Sequence, residues 1–252
     1  EFCARHRPED VQLSPNVPAE AEAQAREQLA GYYAHCEALD LAFGRLLEAL
    51  EQSGLADDTI VVFTSDHGDM LGSQGFFKKQ RHWDESVLVP LIVRDPRREA
   101  GPAEIDAPIS TIDLMPTLLG LCGCEIPGRC QGSDWTPVLR ENAAPPADEA
   151  LIACHAPFHQ YTDAGGAYRG LRTRRHTYVR FIDGRQMLFD NEADPYQMRD
   201  LSAAPGSAEL LAGLEARLGA MLEEAGDPFE APQDLFRKWS VRLDADGDVY
   251  YE

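Results

Sequence analysis

The sequence predicts an α/β core followed by a small α+β domain, an expectation that rests on three observations. A long helical pattern leads into a continuous apolar run, Ile60-Val61-Val62-Phe63, and a second run follows at Val87–Val93. Such runs mark strands buried on both faces, the habit of mostly parallel sheets flanked by helices. Near residue 148 the texture changes to short alternating segments split by Gly and Asp, which predict an antiparallel sheet. Last, Leu210, Leu211, Leu214, Leu218, Met221 and Leu222 recur at helical spacing and predict one helix to cover that sheet. Residues 1–147 are therefore assigned to the core and 148–252 to the small domain.

Taken in order, Glu1–Pro18 has three prolines and no period, so it is expected to be loop. From Ala19 the composition favours helix, and Leu29, Tyr32, Cys36, Leu39, Phe43, Leu46 and Leu50 give it one apolar face, expected to be buried. Gly54 ends it. After the second strand, residues 94–107 are charged and proline-rich and predict a surface loop. Ser110–Leu119 predicts a helix entry with Asp113 as N-cap and Pro116 in the first turn. Glu141–Glu149 is a candidate linker. Strands are expected at Leu151–Cys154, Tyr168–Arg172, Thr177–Ile182 and Gln186–Phe189, with Asp183-Gly184 as a hairpin turn. These make a four-stranded antiparallel sheet, and the helix beside it stops at Gly226. Asp244, Asp246 and Asp248 imitate the opening of a calcium loop, but Val249 stands where that loop needs glycine, so a turn between short strands is expected.

Charge narrows the function. With 43 acidic against 23 basic residues, the net charge is -20. Nucleic acid and anionic membrane surfaces are repelled by that field, and no apolar run approaches membrane-spanning length. The six cysteines are irregularly spaced: Cys122, Cys124 and Cys130 match no zinc pattern, and unpaired, mostly buried thiols are expected.

The stretch Thr59–Pro90 carries the candidate chemistry. Functional groups of open α/β sheets gather beyond the carboxyl ends of strands. There Ser65, Asp66, His67, Gly68 and Asp69 offer a carboxylate and an imidazole beside a glycine. Adjacent side chains on a regular strand point apart, so Asp66 and His67 converge on one metal only if the backbone bends after Ser65. Taken alone, the same residues fit a capped turn. A basic island follows: Lys78, Lys79, Arg81 and His82 lie within five residues, a patch sized for one anionic group or for a plain solvated loop. His155 and His159 sit on a loop of the small domain.

These residues resemble a known family. SDHGDMLG, then GFFKK, then ESVLVPLIVR are similar to the formylglycine-dependent type I sulfatases of the alkaline-phosphatase superfamily. YYA…LD…GRLLEAL, the Asp113–Leu119 segment and the Asp194-Pro195 region match further family patterns, with Gln197 where Glu is usual, taken as a surface difference. The resemblance implies an alkaline-phosphatase-like sandwich for the core. It implies that Asp66 and His67 bind a divalent cation, with calcium the first expectation and magnesium the second. Lys79 is implied to contact the sulfate, with Lys78, Arg81, His82 and His155 as further substrate-binding candidates. The family's C/S-x-P-S/T-R nucleophile motif and its first Asp-Asp metal pair have no counterpart in these residues. The chain is therefore expected to be the C-terminal part of a longer protein, carrying half an active site. The whole would carry formylglycine upstream and depend on a formylglycine-generating enzyme. Its expected substrate is a small sulfated organic molecule or sugar. The alternatives are a phosphonate monoester or phosphodiester hydrolase of the same superfamily, and a non-catalytic homologue.

Overall fold

A computed structural model describes residues 2–99, 101, 103–157 and 166–242. His159 and the acidic tail from Asp244 lie outside the described residues. The chain divides into two compact units: Glu1–Lys79, Asp84–Pro102 and Leu139–Asn142 form the first, and Gln80–Trp83, Ala103–Val138 and Ala143–Glu252 the second.

In the first unit, helix α1 spans Glu22–Gln52, and Gly54 at φ 71° turns the chain out of it. Strand β1 (Val61–Thr64), the short helix α2 (Asp84–Val87) and strand β2 (Leu91–Arg94) follow. β1 and β2 pair antiparallel, from Val61 opposite Arg94 to Thr64 opposite Leu91, so the mostly parallel arrangement is not formed between these two strands. Val61, Val62 and Phe63 are half-buried rather than enclosed on both faces.

The expected burial of α1 is corrected. Its buried residues are Ala25, Ala30 and Ala34, whereas Tyr32, Cys36, Leu39 and Leu46 are exposed. The alanine face lets other backbone approach closely: a Cβ on Gly72 would sit 2.5 Å from that of Ala25. Arg26 also donates to the Val11 carbonyl. Of the leucine–tyrosine stripe, Phe43 is half-buried and meets a neighbouring ring, Phe63 at 5.4 Å between centroids. Periodicity identified the apolar face correctly, but the two-stranded ladder is too narrow to cover it.

In the second unit, helix α3 spans Leu114–Leu121; α4 follows at Thr136–Glu141, its residues from Leu139 counted with the first unit. Asp113 stands at the N-cap position of α3, as expected, but its carboxylate turns back to the preceding turn, Thr111–Asp113: it accepts the Ser110 N–H at 2.9 Å in a capping box, and the Ser133 N–H at 2.7 Å. Strands β3 (Glu149–Cys154), β4 (Tyr168–Thr173), β5 (His176–Phe181) and β6 (Gln186–Asp190) form one antiparallel sheet in sequence order. Gly184 at φ 86° makes the β5–β6 turn. Helix α5 (Ala208–Ala225) lays Leu214, Leu218 and Leu222 on Leu171, Tyr178 and Leu188 of one sheet face, and Gly226 ends it. The other face carries Cys154, Tyr168, Val179 and Phe181. A short helix α6, Pro232–Lys238, was not anticipated.

Two further expectations change. All six cysteines are free, but Cys3, Cys36, Cys122 and Cys124 are exposed and Cys154 alone is buried. Gln197, read as a surface difference, is buried: its Nε2 donates to Thr177 Oγ1 at 3.0 Å and to Asn191 Oδ1 at 2.9 Å. Among the described residues no helix is long and apolar enough to cross a membrane.

Candidate metal centre

The bend after β1 forms as the glycine demands. Gly68 N–H donates to the Ser86 carbonyl at 2.9 Å, and a Cβ on Gly68 would meet the Glu85 carbonyl oxygen at 2.0 Å. Only glycine permits that approach. It tucks the Asp66–His67 corner against α2 and turns both side chains to one side: Asp66 Oδ2 lies 3.5 Å from His67 Nε2. That spacing suits two ligands of one divalent cation.

The tautomer of His67 follows from its neighbours. Nδ1 lies 2.8 Å from the Gly68 carbonyl, which can only accept, so Nδ1 carries the proton. Nε2 is then left with its lone pair beside the carboxylate, the arrangement of a metal-ligating imidazole oriented by a carbonyl. The cost of burial works against ionisation at Asp66, but backbone N–H donors and the Ser65 hydroxyl hold its carboxyl below the usual range. Asp66 is exposed, and its Oδ1 already accepts the His67 N–H at 3.0 Å. These residues fit a divalent cation as two of its ligands. Among the described residues no group of three or more His, Cys, Asp or Glu could hold an ion.

Asp69 supports the loop. Its Oδ1 accepts N–H groups from Leu71 at 3.0 Å and Lys78 at 2.8 Å, while Met70 N–H reaches the Lys78 carbonyl at 2.8 Å. These bonds bring the two ends of the 70–78 loop together beside the metal corner. The loop is strained: Leu71, Gln74, Lys78 and Gln80 all have φ between 45° and 71°. Each non-glycine residue in that region costs roughly 1 kcal/mol or more, and such outliers cluster at functional sites. Lys79 stands half-buried between two of them.

The rest of the basic island is differently placed. Arg81 is buried, and its carbonyl accepts the Tyr168 hydroxyl at 2.8 Å. His82 is 1% exposed. Its ring lies 4.0 Å from that of Trp83, and the Tyr168, Phe181 and Phe189 rings enclose it. Neither ring nitrogen has a hydrogen-bond partner among the described residues. Burial, assisted by the Arg81 and Arg185 charges, pushes its pKa down to about 3. From that cage no ring nitrogen faces solvent. Lys78 is exposed, and His155, in the second unit, is hydrogen-bonded at Nδ1 by Arg169. Sequence reasoning missed Arg169 and its partner Asp227. The one available signal is an arginine at a position that alternation turns toward a sheet face.

Comparison with known proteins places this chain in one class. Residues 2–124 match the family model described as Sulfatase, and residues 72–224 match N-sulphoglucosamine sulphohydrolase, C-terminal. The chain belongs to the sulfatase family.

Among relatives, an ulvan-active sulfatase of Formosa agariphila is 42% identical over 93% of this chain and 46% of its own length. An endo-4-O-sulfatase of Bacteroides thetaiotaomicron is 33% identical over 86% of this chain and 45% of its own. A solved B. thetaiotaomicron protein, described with the metabolism of multiple glycosaminoglycans, superposes at a TM-score of 0.78 with 30% identity, over 94% of this chain and 51% of its own. A structure in complex with its substrate D-glucosamine-2-N,6-O-disulfate gives 0.71 at 28% identity, over 89% and 45%. The phosphonate monoester hydrolase of Silicibacter pomeroyi gives 0.72 at 26%, over 100% and 50%. The chain spans about half the length of the proteins it matches.

Proposed function

We propose that the complete protein hydrolyses a sulfate ester, with this chain contributing part of the active site. The observation that carries the reading is the Asp66–His67 corner: Oδ2 and Nε2 lie 3.5 Å apart, and the Gly68 carbonyl frees Nε2 for a metal. Asp66 and His67 would hold a divalent cation, calcium in the first instance, with magnesium as the alternative. The cation supplies fixed positive charge where the ester develops negative charge. Formylglycine, the family's nucleophile, would come from the part of the protein beyond this chain, installed by a formylglycine-generating enzyme. Lys79 would set a compact point charge against the sulfate, and it stands between two residues of strained backbone, Lys78 and Gln80. Lys78 and His155 are candidates for the remainder of the substrate. Arg81 and His82, the other two candidates, are buried.

The proposed substrate is a sulfated sugar. Support comes from the ulvan-active relative and from the neighbour solved with a glucosamine disulfate. One observation favours a second reading: a phosphonate monoester hydrolase matches the whole of this chain at TM-score 0.72. Turnover of paired aryl sulfate, phosphonate monoester and phosphodiester substrates by the full-length, formylglycine-bearing protein separates the two. A higher kcat/KM on the sulfate is expected. Preference for either phosphorus ester would replace the sulfatase reading with the second one.

A further inference from the structure

The most unusual polar group in the second unit is Arg169 of β4, 0% exposed. A buried guanidinium is costly unless its donors are satisfied and its charge is matched. Asp227 matches it, taking Nε in a short ion pair and Nη2 at 3.3 Å. Asp227 is delivered by the end of α5, where its own N–H donates to the Leu222 carbonyl at 2.8 Å just after the Gly226 turn. Nη1 donates to the carbonyls of Cys154 at 3.2 Å and Tyr168 at 2.9 Å, and the Phe229 ring covers the guanidinium at 4.7 Å. The remaining donor is spent on His155, whose Nδ1 lies 2.6 Å from Nη2.

That last bond fixes a protonation state. Arginine can only donate, so His155 Nδ1 must accept and carries no proton. The neutral ring then holds its proton on Nε2, the far nitrogen of a side chain that is 59% exposed. Among the described residues, the charged groups facing the ring are Arg169 on β4 and the Asp227 carboxylate, 4.0 Å away. Loss of solvation and the Arg169 charge lower the imidazole pKa, and Asp227 opposes them.

We propose that Arg169 is a positioning residue, which with Asp227 locks His155 as a neutral, outward Nε2–H donor for an uncharged substrate oxygen, a sugar hydroxyl or ring oxygen. Its substrate half rests on the sulfatase reading. A neutral donor discriminates sugar from non-sugar sulfates without attracting a second anion.

Two measurements on the full-length protein test it. Long-range 15N–1H spectra should give His155 the Nε2–H tautomer and a pKa below the ordinary imidazole value. Arg169→Lys, which keeps the charge but loses the fork, and Asp227→Asn should each shift that titration. An Nδ1–H tautomer, or an unperturbed titration, overturns the proposal whatever the enzyme does. In kinetics, His155→Ala should raise KM about tenfold for a sugar sulfate, the loss of one hydrogen bond, and raise the KM of a small aryl sulfate by much less. Equal effects on both esters overturn it. Failure of the unaltered enzyme on both esters sinks the sulfatase reading and the substrate half with it, and the tautomer then decides the positioning half.

Discussion

His82 provides a quantitative test of how the basic loop is built. The folded protein holds this imidazole neutral, with a pKa of about 3, inside rings from Trp83, Tyr168, Phe181 and Phe189. The unfolded chain protonates it near the ordinary value of about 6.5. Because the folded pKa is depressed, the unfolded state binds more protons below that value, and stability falls as pH drops. Above it both states are neutral and the penalty vanishes. At pH 5 the difference is about 1.5 units, or ~2 kcal/mol, and it grows toward a ceiling near 5 kcal/mol as pH approaches 3. His82→Phe keeps an aromatic ring in the cage, removes two unpartnered nitrogens and abolishes the titration. Urea denaturation of both proteins at pH 7 and pH 5 isolates the effect. The unaltered protein should lose about 2 kcal/mol more than the variant between those conditions, and the variant should be no less stable at pH 7. Equal losses would show that His82 is not held neutral in an apolar cage.

Other predictions concern single contacts. Gly68→Ala forces a Cβ onto the Glu85 carbonyl, so it should cost about 1–3 kcal/mol and weaken calcium binding measured by calorimetry. Gln197→Leu removes the buried donor to Thr177 and Asn191, and a loss of about 2 kcal/mol is expected in thermal or chemical unfolding. Unchanged stability would mean the network is not formed. Leu218→Ala empties a fully buried position under the sheet and should cost between about 2 and 5 kcal/mol by the same measurement.

The small domain was the most legible part of the sequence. Four alternating segments, an Asp-Gly turn and a leucine stripe are local signals, and each became the element it announced within a residue or two at most boundaries. α1 was legible as a helix but not in its burial, because periodicity names the apolar face without saying whether anything covers it. Ala25, Ala30 and Ala34 gave no comparable signal, since small residues become an interface only when another backbone comes close. At the candidate site, Asp66, His67 and Gly68 were readable as a motif. The His67 tautomer was not, because it depends on a carbonyl that turns inward only in the folded bend. His82 misled for a related reason: its charged neighbours suggested surface, while its aromatic partners other than Trp83, namely Tyr168, Phe181 and Phe189, lie far along the sequence. Gln197 was likewise unreadable, because its partners Thr177 and Asn191 meet it only once the β5–β6 hairpin has formed.

The most direct test of the central claim is turnover of an aryl sulfate by the full-length, formylglycine-bearing protein beside Lys79→Ala and Asp66→Ala. The account predicts metal-dependent hydrolysis in the unaltered enzyme, a fall of at least about a hundredfold in both variants, and folded proteins throughout. Sulfate hydrolysis that survives both substitutions would contradict the assignment of this corner as the site.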